Sequence, residues 1–340
     1  MTVVDVHAHF LPEAGRRAYR RGVDWHGTRF SRDARGILVA ERDGQRTGFG
    51  SPQHFEPIEQ RVGRMTDRGV DTELLSLLPP LFGYGWPAAD AAAAAREVND
   101  ELSALSQQFP GRFLGLATLP LQDPVAAIEE LARAMALPGL VGVVVGTHVA
   151  GAGLHEDRLA PFWRAAAQLR AFVFIHPIHP RAQPALRDYY LSNAIGNPFE
   201  TTVAAASLML SGRLAGLPEL PVCLAHGGGY LLAAIGRLEH AYRVRPEPPR
   251  DTDQSPRAQF RRFYYDTLNH DERGLRQMVD VLGVDRVLLG TDFPADMGQP
   301  DAVAGIRGCG LFSAAEQAAM LGGNAARVLG GRLPASRPAA

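Results

Sequence analysis

The chain is predicted to be an α/β protein closed as a (β/α)8 TIM barrel. The first observation is alternation. Eight short apolar runs, at about 2–6, 72–77, 113–119, 140–145, 172–176, 221–226, 263–267 and 285–291, are separated by segments of helical character. Apolar runs of this kind read as buried strands, and helices between them imply a parallel sheet. The second is size: eight such units in 340 residues match a barrel with its ring of helices. The third is an absence. An open doubly wound sheet usually carries a glycine-rich loop after its first strand, and here that place holds His7-Ala8-His9.

Val3-Val4-Asp5-Val6 is a β-branched run that leads straight into His7-Ala8-His9. Phe10-Leu11-Pro12 then turns the chain into a short basic helix at 13–21. Residues 22–57 are rich in Gly, Arg and Asp, with one apolar piece at 36–40. They read as an insertion after the first strand, a small β-hairpin layer. It is longer than an ordinary connection and therefore functional or mobile. Regular alternation begins at Pro57. Helices are expected at 58–69, 88–109, 124–136, 158–170, 199–214, 230–242 and 271–282, with two more before Leu329. Gly69 stops the first of these, Pro110-Gly111 the second, and Pro124 occupies a favoured first helical position in the third. Residues 1–330 thus form one domain. The Pro/Ala/Arg-rich tail, 331–340, is expected to be disordered.

Apolar residues make up 46% of the chain, enough for a full core. With 35 basic and 36 acidic side chains the net charge is −1. That balance leaves no electrostatic footprint for nucleic acid or an anionic membrane. Cys223 and Cys309 form no pattern, so neither a disulfide framework nor a thiolate metal site is implied. No stretch approaches transmembrane length. The first strand begins almost at Met1, which leaves no room for a secretory signal. A cytoplasmic protein without nucleic-acid or membrane partners is expected.

Barrel chemistry sits at the C-terminal ends of the strands. Strand one ends in His7 and His9, strand five in His176, strand six in His226 and strand eight in Asp292. In an extended strand His7 and His9 point to the same side. Any one of these residues alone would read as a hydrogen-bonded histidine or a capping aspartate. Five at one rim point to one site. Imidazole and carboxylate together suit Zn²⁺, and Mn²⁺ or Fe²⁺ are compatible. Three or four ligands leave one of the five as an acid or base, and a metal lowers the pKa of bound water to about 7.

Beyond the individual residues, several stretches resemble one family. They are Val4-Asp5-Val6-His7-Ala8-His9-Phe10-Leu11-Pro12, His176-Pro177, Ala225-His226-Gly227-Gly228-Gly229 and Leu289-Gly290-Thr291-Asp292-Phe293-Pro294. Together they resemble the amidohydrolase superfamily, in its branch typified by 2-amino-3-carboxymuconate-6-semialdehyde decarboxylase. The likeness runs from residue 2 to about 330. It implies that His7, His9, His176 and Asp292 hold one metal, usually Zn²⁺. It also implies that His226 is the acid/base that activates metal-bound water. Arg237, eleven residues after His226, would grip a substrate carboxylate from the neighbouring subunit, so a homodimer is implied. The family's second carboxylate-binding arginine falls in the insertion, where Arg46 is the nearest candidate.

Of the remaining histidines, His148 ends strand four and is read as a structural hydrogen-bonding residue that can also reach substrate. His179 and Trp86 are candidates to line the pocket. His26, His54, His155, His240 and His270 are assigned to surface or packing. The glycines 227–229 are attributed to close backbone approach at the metal. The expected function is metal-dependent, non-oxidative decarboxylation of an unsaturated or aromatic carboxylic acid, of the carboxymuconate-semialdehyde or hydroxybenzoate type. The alternative on the same residues is hydrolysis of a lactone, amide or ester.

Overall fold

The eight apolar runs become eight neighbouring parallel strands, because a run that is apolar on both faces can only be satisfied between a barrel interior and a helical coat. The structure is a computed structural model and describes residues 2–34, 36–49, 51–178, 181, 184–247 and 255–333. In chain order its elements begin with β1 (Val4–Phe10), α1 (Glu13–Arg21), β2 (Arg29–Arg32), β3 (Leu38–Arg42) and β4 (Gln45–Phe49). There follow α2 (Ile58–Asp67), β5 (Thr72–Leu77), α3 (Ala88–Gln108), β6 (Phe113–Ala117), α4 (Pro124–Met135), β7 (Leu140–Gly146), β8 (His148–Val149) and β9 (Ala152–Gly153). The second half has α5 (Ala160–Gln168), β10 (Phe172–His176), α6 (Asn197–Leu210), β11 (Val222–Leu224), α7 (Leu231–Val244), α8 (Pro256–Phe260), β12 (Tyr264–Asp266), α9 (Glu272–Leu282) and β13 (Val287–Leu288). The last helices are α10 (Ala302–Gly308), then α11 (Ala314–Ala318) and α12 (Asn324–Leu329), joined through a π-turn at Ala319–Gly323.

The main sheet runs β1-β5-β6-β7-β10-β11-β12-β13, with every neighbouring pair parallel. Closure comes from the chain just past β13. The Val6 N–H donates to the Leu289 carbonyl (2.9 Å), the Asp292 N–H to His7 (2.8 Å) and the His9 N–H to Phe293 (2.8 Å). The eighth strand is much shorter than the expected run. After Leu288 the chain bends to follow β1, and the Thr291 hydroxyl donates to the buried Asp5 carboxylate (2.5 Å). Gly290 permits this: a Cβ there would meet the Cβ atoms of Asp266 and His7 at 2.7 and 2.9 Å.

The insertion is a three-stranded antiparallel sheet, β2-β3-β4, rather than a hairpin. A 3-10 turn at Pro52–Phe55 follows it and lets the chain return to α2. Beneath the rim of β1, the fully buried Glu73 of β5 accepts from Arg61 (2.6 Å) and pairs with Arg68. Arg61 also donates to the His9 carbonyl (2.7 Å), and both guanidiniums lie over the Phe293 ring. A buried charge needs such partners, and here they tie β1, β5 and the segment after β13 together. No helix among the described residues is long and apolar enough to cross a membrane. Residues 334–340, most of the predicted tail, lie outside the described residues.

Candidate metal centre

His7 and His9 project from β1, His176 from the end of β10 and Asp292 from the turn after β13, and all four are buried. One ligand atom from each lies within 4.8 Å of the others. The Nε2 atoms of His7 and His9 are 3.2 Å apart, and those of His9 and His176 3.3 Å. Asp292 Oδ1 lies 3.2 Å from His7 Nε2 and 3.0 Å from His9 Nε2. Ligand atoms about 2.0–2.1 Å from one ion sit about 3.3 Å apart when tetrahedral.

The other ring nitrogen of each histidine shows what faces the centre. His7 Nδ1 donates to Asp266 Oδ2 (2.6 Å) and His176 Nδ1 to the Pro177 carbonyl (2.6 Å). Both partners only accept. Ser76 gives its hydroxyl proton to the Ala8 carbonyl (3.2 Å) and accepts from His9 Nδ1 (2.9 Å). In the neutral rings, therefore, all three Nε2 atoms turn bare lone pairs toward one point, beside a carboxylate. Three acceptors and an anion cannot satisfy one another. A cation satisfies all four, and this donor set, with its oriented Nδ1 partners, fits a divalent metal.

The electrostatics carry the same demand. Burial opposes charge on His7, but Asp292 and then Asp266 outweigh it and raise its pKa to about 10. Burial lowers His9 and lowers His176 further, with neighbouring histidines adding to both effects. Burial works against an ionised Asp292 as well. His7 above all, with His226 and His9 close by, nevertheless holds it well below the carboxylate range. Without metal, the pocket places one proton's positive charge where an ion belongs.

His226 sits at the end of β11 with φ 57°, its Nε2 3.6 Å from Asp292 Oδ2. Its Nδ1 has no hydrogen-bond partner among the described residues. Unlike the other three, this ring is not locked in one tautomer. The backbone holds it instead: the N–H groups of His226 and Gly227 donate to Asp266 (3.1 and 2.7 Å). The glycines of 227–229 serve packing rather than approach to the metal. A Cβ at Gly229 would stand 2.1 Å from the Pro198 carbonyl, and one at Gly228 2.6 Å from the Tyr265 ring.

The centre forms the floor of a cavity of about 440 Å³. His9, His176, His226 and Asp292 line the bottom, and Leu78, Pro177 and Ile178 give apolar wall. Arg46 and Thr47 of β4 line one side, so the insertion does bring the predicted arginine to the site. Tyr190, Asn193 and Asp296 stand on another. Trp86 lines no part of it, because its ring is held under Arg42 (4.5 Å) and against Trp25. His148 also lies elsewhere and accepts from the Gly151 N–H (3.2 Å), a structural bond within a tight turn. Arg237 is exposed on α7 and lines no part of this chain's cavity. His179 lies outside the described residues. His54, assigned to packing from the sequence, is a correction: it is buried and lines the cavity. Asp266 and Ser76 were missed. Asp266 ends β12 and Ser76 is the last residue but one of β5, and that position at the strand ends was the available signal.

The chain was compared with known proteins. The family model for amidohydrolases matches residues 4–331. A 2-amino-3-carboxymuconate-6-semialdehyde decarboxylase of Dictyostelium discoideum is 35% identical over 271 residues, 79% of this chain and 76% of that protein. The crystal structure of 5-carboxyvanillate decarboxylase from Sphingomonas paucimobilis is similar with a TM-score of 0.81 and 26% identity, covering 96% of this chain and 98% of that one. A dihydroxybenzoic acid decarboxylase from Polaromonas sp. JS666, solved with bound manganese and the inhibitor 2-nitroresorcinol, gives a TM-score of 0.77 at 25% identity over 96% of both chains.

Proposed function

The chain belongs to the amidohydrolase family, and on that footing we propose that it is a metal-dependent, non-oxidative decarboxylase of an unsaturated or aromatic carboxylic acid. The substrate is of the carboxymuconate-semialdehyde or hydroxybenzoate type, as the names of its relatives suggest. The observation that carries the reading is the convergence of three bare Nε2 atoms and Asp292 on the floor of a cavity that also holds His226 and Arg46. His7, His9, His176 and Asp292 would hold the ion. We propose Zn²⁺, with Mn²⁺ or Fe²⁺ compatible. When bound, it supplies a Lewis acid that polarises substrate oxygens and offsets the charge of the carboxylate.

The protein's own groups do the rest. Arg46 turns the substrate carboxylate so that the bond to be broken faces the floor. His226 carries a proton at Nε2, free to exchange because its tautomer is not locked, and delivers it to the carbon that bears the carboxylate. That carbon's π electrons form the new C–H bond, which leaves an electron-deficient neighbour. The electrons of the C–CO₂⁻ bond then restore the π system, and carbon dioxide departs with no net oxidation. Asp292 Oδ2 keeps the imidazole aimed.

Arg237 is proposed to complete the site of a second copy. Tyr189, Ile195, Phe199 and Tyr230 are among the large apolar side chains exposed to solvent, and a homodimer would cover such residues. A cytoplasmic location goes with this reading. The test is release of labelled carbon dioxide from a panel of carboxyl-labelled hydroxybenzoates and amino-carboxymuconates by metal-loaded protein. Release from at least one acid is expected. Hydrolysis of a lactone or amide panel without such release would refute the proposal.

A further inference from the structure

Apart from histidines and Asp292, the charged side chains that line the cavity among the described residues are Arg46 and Asp296. A tight turn anchors Asp296 to the floor. The Ala295 N–H donates to the Asp292 carbonyl (2.8 Å), the Gly298 N–H to Ala295 (3.1 Å) and the Gln299 N–H to Thr291 (2.8 Å). The turn is so close that a Cβ at Gly298 would stand 2.8 Å from the Thr291 carbonyl. Tyr190 reaches Asp296 from the segment before α6, and its hydroxyl donates toward both carboxylate oxygens (3.4 Å each). The Tyr190 carbonyl in turn accepts from the N–H groups of Asn193 and Ala194 (3.1 Å each). With its proton turned to Asp296, the phenol oxygen offers a ligand an acceptor. Among the described residues that hydroxyl is the one polar partner of the Asp296 carboxylate. Arg46 has its own anionic neighbour, Glu41, at 3.3 Å. Asn193 and Asn197 also line the cavity, but a carboxamide donates or accepts equally. The charge on Asp296 therefore decides what this wall takes. The carboxylate is exposed to solvent. A substrate that fills the cavity strips water from it, and an anion without water costs free energy unless it is hydrogen-bonded.

We infer that Asp296, steadied by Tyr190, is a specificity-determining residue that takes a hydrogen-bond-donating amino or hydroxyl substituent of the substrate and turns away a second carboxylate. This rests on the decarboxylase reading for the reaction, though not for binding. An amino- or hydroxy-substituted monocarboxylate then binds in preference to a dicarboxylate of the same shape. The donor replaces the water that Asp296 loses, whereas a second anion meets a like charge.

The test uses manganese-loaded full chain and nitrophenols, whose nitro group is planar like a carboxylate and cannot leave as carbon dioxide. One pair is 5-amino-2-nitrophenol and 3-hydroxy-4-nitrobenzoate, and its isomeric pair is 4-amino-2-nitrophenol and 4-hydroxy-3-nitrobenzoate. Within a pair, an amino group replaces a carboxylate at one ring position. Calorimetry gives Kd for wild type, Asp296→Asn and Asp296→Ala, and thermal melts and elemental analysis confirm that each is folded and holds metal. Wild type is expected to favour the amino compound of at least one pair by about tenfold or more, the worth of a hydrogen bond to a charged group. Both variants are expected to lower that ratio by about tenfold. Differences intrinsic to the compounds cancel when ratios are compared. No amino preference of wild type in either pair, no binding of any compound, or an unchanged ratio in a folded, metal-loaded variant overturns the inference. Carbon dioxide release from 4-amino-2-hydroxybenzoate and 2-hydroxyterephthalate is measured alongside. A collapsed binding ratio without release from any tested acid keeps the role of Asp296 and refutes the decarboxylase. Release with an unchanged ratio does the reverse.

Discussion

Replacing Asp266 with Asn removes one charge and one acceptor while keeping the shape. The carboxylate takes four hydrogen bonds. Oδ2 accepts from His7 Nδ1 (2.6 Å) and the His226 N–H (3.1 Å), and Oδ1 from the N–H groups of Gly227 (2.7 Å) and Leu268 (3.2 Å). An amide has one oxygen. If that oxygen faces Gly227 and Leu268, the NH₂ group confronts two donors. His7 then shifts its proton to Nε2, the atom that should face the metal. If the amide turns over, the loop carrying His226 loses two bonds instead. Hydrogen bonds to a charged group are worth about 1.5–3 kcal/mol each, and removing the partner that orients a ligating histidine typically costs about 10–100-fold in metal affinity. Asp266→Asn is therefore expected to weaken metal binding by about 10–100-fold, or roughly 1.4–2.7 kcal/mol. Competition with a chromophoric chelator measures it. An affinity within about twofold of wild type would refute the argument that Asp266 sets the His7 tautomer.

Three further outcomes are expected. His226→Asn should keep its metal and lose at least about a hundredfold in kcat, the usual worth of a positioned proton donor; retained turnover in a steady-state assay would remove His226 from the chemistry. Glu73→Gln should lower the stability of the metal-free protein by about 3–5 kcal/mol, because Arg61 and Arg68 are left buried beside a neutral group; the shift in urea midpoint reads it. In metal-free protein His7 has its pKa raised from 6.5 to about 10. A raised basic group stabilises fully below its unfolded pKa and loses that contribution as pH climbs through the folded value. The melting temperature of the metal-free form should therefore fall as pH rises from 6.5 toward 10. Metal-loaded protein, whose His7 Nε2 carries no proton, should lack that slope.

The barrel was legible because most strands are short apolar runs and several helices carry their own stop or start. Examples are Gly69 after α2 and Pro124 at the start of α4. The ligands were legible because the barrel forces strand ends to one rim, so four distant segments could be laid on one site by counting. What escaped depends on chain paths that no periodicity encodes. The last strand shortens because Thr291 is drawn to Asp5, a contact across 286 residues. His54 lies in an irregular stretch, and only the fold of the insertion over the rim shows that it reaches the cavity. Trp86 reads as a pocket aromatic, yet Arg42 of β3 holds it away. Asp266 ends a Tyr-Tyr-Asp strand as an unremarkable polar residue until Gly290 allows β1 and β12 to bring it against His7.

Elemental analysis of purified wild type and of Asp292→Ala tests the central claim most directly. One divalent ion per wild-type chain, and a large loss of it in the variant, is the expected result, since Asp292 bridges toward His7, His9 and His226. Wild-type protein that takes up no metal even after reconstitution, or a variant that keeps a full complement, would contradict the account.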